Sequence, residues 1–264
     1  SPSTTQESAE PDEHILTTPT TTAQAIQTAN GIPTTTATAT PATTTATDGG
    51  DDDTPDLKAA LASAERDEWL KAIAEEATAL ETSNVYNIVK KANLPANAKV
   101  LQTKIVLRRK RDQNGEVKRL KARIVVKGFN QRHGIDYNET FAPTASKTAV
   151  RALFALATRE GMHLCQMDIV TAFLYADLDA DHIYAAPPAI EGLFQRDEVL
   201  HLQKALYGLK QAPRLWGKTL HNFMLSQHFV ATQTDACLFT KNTGNGRIWL
   251  AVYVDDIVVA SDQL

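Results

Sequence analysis

The sequence has little cysteine. Among 264 residues there are two cysteines, Cys165 and Cys237, which lie in apolar segments and lack the spacing of metal ligands. This scarcity excludes a disulfide-stapled fold and a cysteine-rich zinc module. We expect free thiols in a reducing compartment.

Long hydrophobic runs are also absent. No apolar stretch approaches the ~18 residues of a membrane-spanning helix, and no secretory leader is visible. The sequence therefore predicts neither a membrane span nor a membrane partner. The chain starts at Ser1 rather than Met and stops at Leu264, directly after an apolar strand-like run. We expect both ends to be cuts in a longer polypeptide.

Lysine and arginine are missing from residues 1–55. This segment has eight acidic side chains and eighteen threonines, too little apolar surface to offset its ordering entropy. We predict a disordered, acidic Thr/Pro/Ala-rich linker over 1–55, with an O-glycosylated stalk as the alternative. Residues 56–264 then carry 27 basic against 23 acidic side chains. The overall charge of −4 therefore does not argue against a nucleic-acid partner.

Hydrophobic periodicity predicts a chain of mixed helices and strands after the linker. Ser63, followed by Glu65, Asp67 and Glu68, resembles a helix start, and Gly161 resembles a helix stop. Asn114-Gly115 favours a hairpin turn. The predicted helices cover 56–82, 147–160 and 213–227, and the predicted strands cover 100–111, 116–127, 163–169, 198–203, 236–241, 247–254 and 257–260.

Three carboxylates lie in unusually apolar surroundings. Asp255 and Asp256 separate two buried-strand patterns, and Asp168 ends another. Adjacent carboxylates repel, whereas Mg²⁺ prefers such hard oxygen ligands. Brought together, the three could bind two ions and support phosphoryl transfer. The alternative is a solvated turn with a polar strand end, which residue spacing alone favours.

A basic block occupies the predicted hairpin. Between Leu101 and Arg132 there are eleven lysines and arginines and two acidic residues. Strand alternation places Arg108 and Lys110 on one face and Arg109 and Arg111 on the other, while Arg119, Lys121, Arg123 and Lys127 share a face of the second strand. Such a face suits phosphates. The alternative is an edge strand kept charged against aggregation.

Five ordered segments resemble the reverse transcriptase domain of Ty1/copia-type LTR retrotransposons, over about residue 67 to the C-terminus. They are LKARIVVKGFNQ (120–131), GIDYNETFAP (134–143), QMDIVTAFL (166–174), KALYGLKQAPR (204–214) and YVDD (253–256).

The resemblance implies an RNA-directed DNA polymerase and assigns both catalysis and metal binding to Asp168, Asp255 and Asp256. Two Mg²⁺ ions are expected, with Mn²⁺ as the alternative ion. Phe173 resembles the aromatic gate that would collide with a ribose 2′-OH. The expected nucleotide contacts are Lys121, Arg123, Lys127, Phe173, Tyr207, Gly208 and Lys210, and the expected template or primer contacts are Arg109, Arg111, Arg119, Pro213 and Tyr253.

The resemblance also implies partners and a setting. The partners are an RNA template, a DNA primer and product, deoxynucleoside triphosphates, and the thumb, RNase H and integrase portions of the same polyprotein. The expected location is cytoplasmic, in virus-like particles, with the DNA product acting in the nucleus. Two departures from the family pattern are Ser146 and Thr171, where the family usually has Arg and Asn or Asp.

The predicted fold is α+β: a right-hand polymerase with fingers and an antiparallel palm sheet backed by helices, truncated before the thumb. The predicted domains are the linker 1–55, a helical segment 56–99, and incomplete fingers and palm over 100–264. Two alternative functions stay open. One is an inactive or domesticated retroelement fragment that binds nucleic acid without catalysis. The other is a different two-metal palm enzyme such as a nucleotidyl cyclase, against which the hairpin and the 206–213 loop argue.

Overall fold

Two helices begin the part of the chain that the computed structural model describes, residues 53–263. The predicted linker 1–55 lies almost wholly outside it. Helix α1 (Leu57–Ala62) is capped by Asp56, whose Oδ1 accepts from the Lys58 and Ala59 N–H groups at 2.7 and 3.2 Å. Helix α2 (Arg66–Thr82) follows. The single helix predicted over 56–82 is thus wrong in one respect. Ser63 ends α1 by donating to the Ala60 carbonyl at 2.7 Å, and its Oγ also accepts from the Glu65 N–H.

Eleven strands and two further α-helices complete the described fold. The strands are β1 (Tyr86–Lys90), β2 (Val100–Leu101), β3 (Thr103–Arg111), β4 (Val117–Val126), β5 (His163–Asp168), β6 (Tyr184–Ala185), β7 (Glu198–Leu202), β8 (Val230–Ala231), β9 (Leu238–Thr243), β10 (Gly246–Tyr253) and β11 (Asp256–Ser261), and the helices are α3 (Lys147–Glu160) and α4 (Ala212–Ser226). The α+β prediction is confirmed at this level. Over residues 53–263, no helix has the length and apolar character needed to cross a membrane.

Strands β3 and β4 form a two-stranded ladder, here called the basic hairpin (103–126). Its inner face carries Leu107 and Ala122, which are buried against Trp69 and Ile73 of α2. Burying large side chains such as these contributes roughly 1.5–3 kcal/mol each. Helix α2 therefore belongs to the same hydrophobic core as the hairpin.

A five-stranded antiparallel sheet, here called the carboxylate sheet, has the order β5-β11-β10-β9-β8. Helix α3 packs on β10 and β11, while α4 packs on β8 and on the 3₁₀ turn Ala172–Tyr175. Gly161 ends α3 in the left-handed conformation, as predicted. The helices fix this sheet from behind and leave the ends of β5 and β11 exposed.

A second sheet, with the order β1-β7-β6-β2, is mixed: β2 pairs with β6 in parallel and the remaining pairs are antiparallel. Of its strands, β2 and β7 were predicted. Strands β1 and β6 were not predicted. Strand β1 is short and pairs with β7, more than eighty residues away. Strand β6 has two residues, as does its parallel partner β2.

Candidate active site at the end of the carboxylate sheet

Strand register brings the three predicted carboxylates together. Asp168, the last residue of β5, lies directly opposite Asp256, the first residue of β11. Asp255 precedes Asp256 in the turn from β10, and its carbonyl accepts the Ile169 N–H at 2.9 Å. Residues almost ninety positions apart thus meet at one end of one sheet.

The charges in this cluster interact. Partial burial raises the pKa of Asp168, and the carboxylates of Asp255 and Asp256 raise it further. Lys121 and Arg123 of the basic hairpin act in the opposite direction on the same group. Asp168 therefore lies within electrostatic range of both the other carboxylates and the hairpin.

The turn that carries Asp255 has a strained backbone. Val254 has φ 58°, a left-handed conformation that is a genuine outlier for a β-branched residue. Thr171, three residues after Asp168, has φ 57°. Such conformations persist only where the surroundings fix them, and they cluster at functional sites. Here the Trp216 Nε1–H donates to the Val254 carbonyl at 2.7 Å and holds the turn.

The chemistry of these donors fits a hard divalent cation, because all three supply carboxylate oxygens beside like charges that a cation would neutralise. In the described part of the chain, however, no three His, Cys, Asp or Glu side chains are already arranged to hold a metal ion. Asp256 instead accepts a hydrogen bond from Gln166 Nε2 at 3.1 Å. Asp168 and Asp256 are exposed, and Asp255 is half-buried.

The outer face of the basic hairpin places like charges directly opposite each other. Arg108 pairs with Lys121, and Lys110 pairs with Arg119. Like charges at such cross-strand positions destabilise a ladder. Burial lowers the pKa of Lys121, and Arg123 lowers it further. An anion on this face would relieve the repulsion.

Three of the predicted nucleotide contacts form one stack. The Arg123 guanidinium lies 5.3 Å from the centre of the Tyr207 ring, and Tyr207 meets Phe173 edge to face at 5.1 Å. Burial raises the pKa of Tyr207. The structure thus joins the hairpin, the 206–213 loop and the segment after Asp168.

The other predicted nucleotide contacts lie near the C-terminal end of β4 and in the 206–213 loop. Gly208 directly follows Tyr207, and the Tyr207 carbonyl accepts the Val126 N–H at 2.8 Å. Lys127 follows and donates its N–H to the Gln102 carbonyl. The Lys210 Nζ lies 3.2 Å from the Tyr137 hydroxyl and 5.0 Å from the centre of its ring.

The predicted template contacts do not gather in one place. Arg109 and Arg111 lie on the hairpin face opposite Arg108, where they form ion pairs with Glu65 and Asp53. Arg119 lies 3.6 Å from Glu75. Pro213 lies in the first turn of α4, and Tyr253 borders the strained turn with 56% of its surface exposed. As template contacts, all five stay a prediction.

Sequence reasoning missed a buried amide network that ties the 128–137 segment to the 206–213 loop. Gln131 Nε2 donates to Gln211 Oε1 at 2.9 Å, and Gln211 Nε2 donates to the Asp136 carbonyl at 3.0 Å. Both glutamines are buried, at 6% and 0% exposure. Glu76 and Trp216 were also missed. No local pattern distinguishes such residues, because their partners are distant in sequence.

Comparison with known proteins gives a family match and several similar sequences. Residues 83–264 match the family model described as reverse transcriptase (RNA-dependent DNA polymerase). The chain is 37% identical over 211 residues to the retrovirus-related Pol polyprotein from transposon TNT 1-94 of Nicotiana tabacum, which covers 79% of the chain and 16% of that polyprotein.

Two further relatives come from other organisms. The Pol polyprotein from transposon RE1 of Arabidopsis thaliana is 32% identical over 78% of the chain and 14% of its own length. The transposon Ty1-BL Gag-Pol polyprotein of Saccharomyces cerevisiae is 29% identical over 63% of the chain and 9% of its own length. The chain thus spans a small part of each relative.

The family model matches more than half of the chain. The matched residues include all three carboxylates, both strands of the basic hairpin and the 206–213 loop. Its relatives are Pol polyproteins of copia-type elements. The chain therefore belongs to the reverse transcriptase (RNA-dependent DNA polymerase) family, in its copia-type retrotransposon branch.

Proposed function

We propose that the chain carries the catalytic centre of an RNA-directed DNA polymerase that adds deoxynucleotides to a primer 3′-OH and releases pyrophosphate. One observation carries the proposal: the β5–β11 register that places Asp168 opposite Asp256 and beside Asp255. In this proposal β3 and β4 belong to the fingers and the carboxylate sheet is the palm. The 53–82 helices brace the fingers.

Asp168, Asp255 and Asp256 would hold two Mg²⁺ ions, or Mn²⁺ in their place. When bound, such ions neutralise developing charge on the attacking and leaving oxygens of an in-line displacement. The chain's own task is to position the three carboxylates. Trp216, through its hydrogen bond to Val254, and Ile169, through its hydrogen bond to Asp255, fix the turn on both sides.

The nucleotide would lie between the carboxylates and the outer face of the basic hairpin. Lys121 and Arg123 act electrostatically on Asp168, so a triphosphate there would meet positive charge on one side and the ions on the other. Phe173, backed by Tyr207, would then face the sugar and exclude a 2′-OH. Lys127, Gly208 and Lys210 would shape the pocket.

Template and primer contacts are assigned more broadly. Arg119 and Tyr253 flank the proposed site from the hairpin and the turn, and Pro213 borders it at the start of α4. Arg109 and Arg111 would act through exchange of their ion-pair partners. The proposed partners in the same polyprotein are its thumb, RNase H and integrase parts, because the relatives are Pol and Gag-Pol polyproteins. The proposed location is in virus-like particles.

The test is primer extension on an RNA template with Mg²⁺, using this chain and, in parallel, a longer protein that carries it together with a thumb. Asp255→Asn is expected to abolish deoxynucleotide incorporation, since a two-ion site loses an oxygen ligand. Asp181→Asn, a change of the same kind at an exposed residue outside the cluster, is the matched control.

A second readout separates catalysis from nucleic-acid binding. Fe²⁺ in place of Mg²⁺, with added hydrogen peroxide as the oxidant and ascorbate to regenerate Fe²⁺, generates hydroxyl radicals at the ion site. Cleavage of the chain near residues 168 and 255 is expected to require Asp255. Retained RNA binding without incorporation, and without such cleavage, would favour the non-catalytic nucleic-acid binder and defeat the proposed polymerase.

A further inference from the structure

Glu76 of helix α2 lies among the proposed nucleotide-binding side chains, although it precedes the residues matched by the family model. Its Oε1 accepts the Ile124 N–H at 3.3 Å. The basic hairpin has two strands, so the outer edge of β4 has no ladder partner among the described strands. Glu76 at Ile124 and the Tyr207 carbonyl at Val126 satisfy two donors of that edge.

The Glu76 carboxylate is half-buried and faces positive charge. Burial raises its pKa, and Lys121 and Arg123 act to lower it. In return, Glu76 opposes the lowering of the Lys121 pKa. It also contributes to the raised pKa of Tyr207. Glu76 is thus coupled to the same three groups that would meet the nucleotide.

Its neighbour Glu75 is more exposed and lies beside a different cation. The Glu75 side chain is 51% exposed and lies 3.6 Å from Arg119, itself 68% exposed. Exposed pairs of this kind contribute little to stability. The two adjacent glutamates therefore offer one residue inside the charged cluster and one matched residue outside it.

We propose that Glu76 is a positioning residue of the nucleotide site: an internal counter-anion that holds Lys121 and Arg123 on the hairpin and gives them up to incoming phosphates. The inference rests on the proposed function, because that function supplies the triphosphate. It goes further by assigning a role to a helix that precedes the residues matched by the family model.

The chemistry dictates the direction of the effect. A carboxylate beside two cations competes with any phosphate for them, so its removal strengthens phosphate binding. Even at the dielectric constant of bulk water, about 80, one charge several ångströms away changes affinity by roughly threefold to tenfold. The Arg123 Nε is buried and has no hydrogen-bond partner among the described residues.

The experiment measures binding of inorganic pyrophosphate and of dTTP, each with Mg²⁺, to the 264-residue chain by titration calorimetry. Glu76→Gln keeps an acceptor for the Ile124 N–H and removes the charge. We expect dissociation constants to fall roughly threefold to tenfold. Glu76→Asp should return them toward the wild-type values, and Glu75→Gln should leave them unchanged.

A purely structural Glu76 would alter the unfolding free energy without altering these affinities. If the wild type binds and Glu76→Gln binds equally or more weakly, the counter-anion role is overturned while the polymerase proposal stands. If the wild type binds neither ligand, the proposed nucleotide site fails instead.

In that case the rate at which an amine-reactive ester acylates Lys121 tests Glu76 alone. Loss of the neighbouring carboxylate lowers the pKa of Lys121, so the amine should react faster in Glu76→Gln than in Glu75→Gln. Equal rates in the two variants would overturn the role of Glu76.

Discussion

Gly128 and Gly208 pack backbone against backbone where the basic hairpin meets the 206–213 loop. A Cβ added to Gly128 would overlap the Gly208 carbonyl oxygen, and a Cβ added to Gly208 would overlap the Val126 carbonyl oxygen. Gly208 also has φ 92°, a conformation that side chains disfavour. These two residues hold Tyr207 against β4.

Gly208→Ala should therefore destabilise the chain by about 2–4 kcal/mol, through overlap and left-handed strain together. Chemical denaturation monitored by tryptophan fluorescence gives the measurement. Gly217→Ala is the control: Gly217 lies within α4 with nothing within 4 Å of an added Cβ, so it should gain up to about 1 kcal/mol. Equal stability of Gly208→Ala and the wild type would contradict the packing.

Acid should weaken the segment around Asp136. Burial opposes ionisation of this carboxyl, but hydrogen bonds from the Arg132 side chain and backbone outweigh it, and the Asp136 pKa is lowered from 3.8. A lowered pKa in the folded state contributes stability that is present above 3.8 and is lost as the pH falls through the folded value.

Asp136→Asn should thus reduce the unfolding free energy by about 2 kcal/mol at pH 7, and by progressively less below pH 4. Denaturant titrations from pH 7 to pH 3 measure the difference. Asp181→Asn should show no such pH-dependent gap. A gap for Asp136→Asn that widens in acid would reverse the assigned sign.

Trp216 should stabilise the strained turn through its N–H group. Trp216→Phe keeps an aromatic ring and leaves the Val254 carbonyl without its donor, so we expect a loss of about 1–2 kcal/mol of stability. Misplacement of Asp255 should also lower primer extension by roughly tenfold or more.

Trp249→Phe provides the comparison, because the buried Trp249 Nε1 has no hydrogen-bond partner among residues 53–263. This change makes the same ring replacement in β10 of the carboxylate sheet without removing a hydrogen bond. Primer extension that falls equally in both variants would show that the turn does not depend on the Trp216 hydrogen bond.

Tyr207 should support sugar discrimination through its ring. Tyr207→Leu removes the edge-to-face contact with Phe173, and we expect the preference for deoxynucleotides over ribonucleotides to fall by roughly tenfold, a change of about 1.4 kcal/mol. The ratio of kcat/KM values for dTTP and UTP measures this preference. Tyr207→Phe keeps the ring and should preserve it; an equal loss in both variants would assign the effect to the hydroxyl.

Local patterns predicted the elements whose causes are local. Gly161 ends α3, Asn114-Gly115 turns the basic hairpin, and the apolar flanks of Asp255 predict two strands. Alternation also separated Arg108 from Arg109 correctly. Alternation did not indicate which face of the basic hairpin is buried. Arg109 lies on the same face of β3 as Ile105 and Leu107, and that face packs against α2.

The rest of the fold and of the site depends on contacts between residues that are distant in sequence. Whether Asp168 meets Asp256 is decided by strand order in the carboxylate sheet, and the resemblance rather than periodicity supplied that pairing. The Gln131–Gln211 hydrogen bond joins residues 80 positions apart. In the sequence pattern of α2, Glu76 is indistinguishable from a solvent-facing helix residue. Its role depends on the contact with the edge of β4 at Ile124.

Helix α2 precedes the residues that the family model matches, yet it belongs to the same hydrophobic core as the basic hairpin. The family match begins at residue 83, yet Trp69 and Ile73 cover Leu107 and Ala122 of the hairpin. A protein trimmed to the matched residues would expose that apolar face to water and invite strand-to-strand aggregation. The smallest unit that can keep the basic hairpin soluble therefore begins upstream of residue 83 and includes α2.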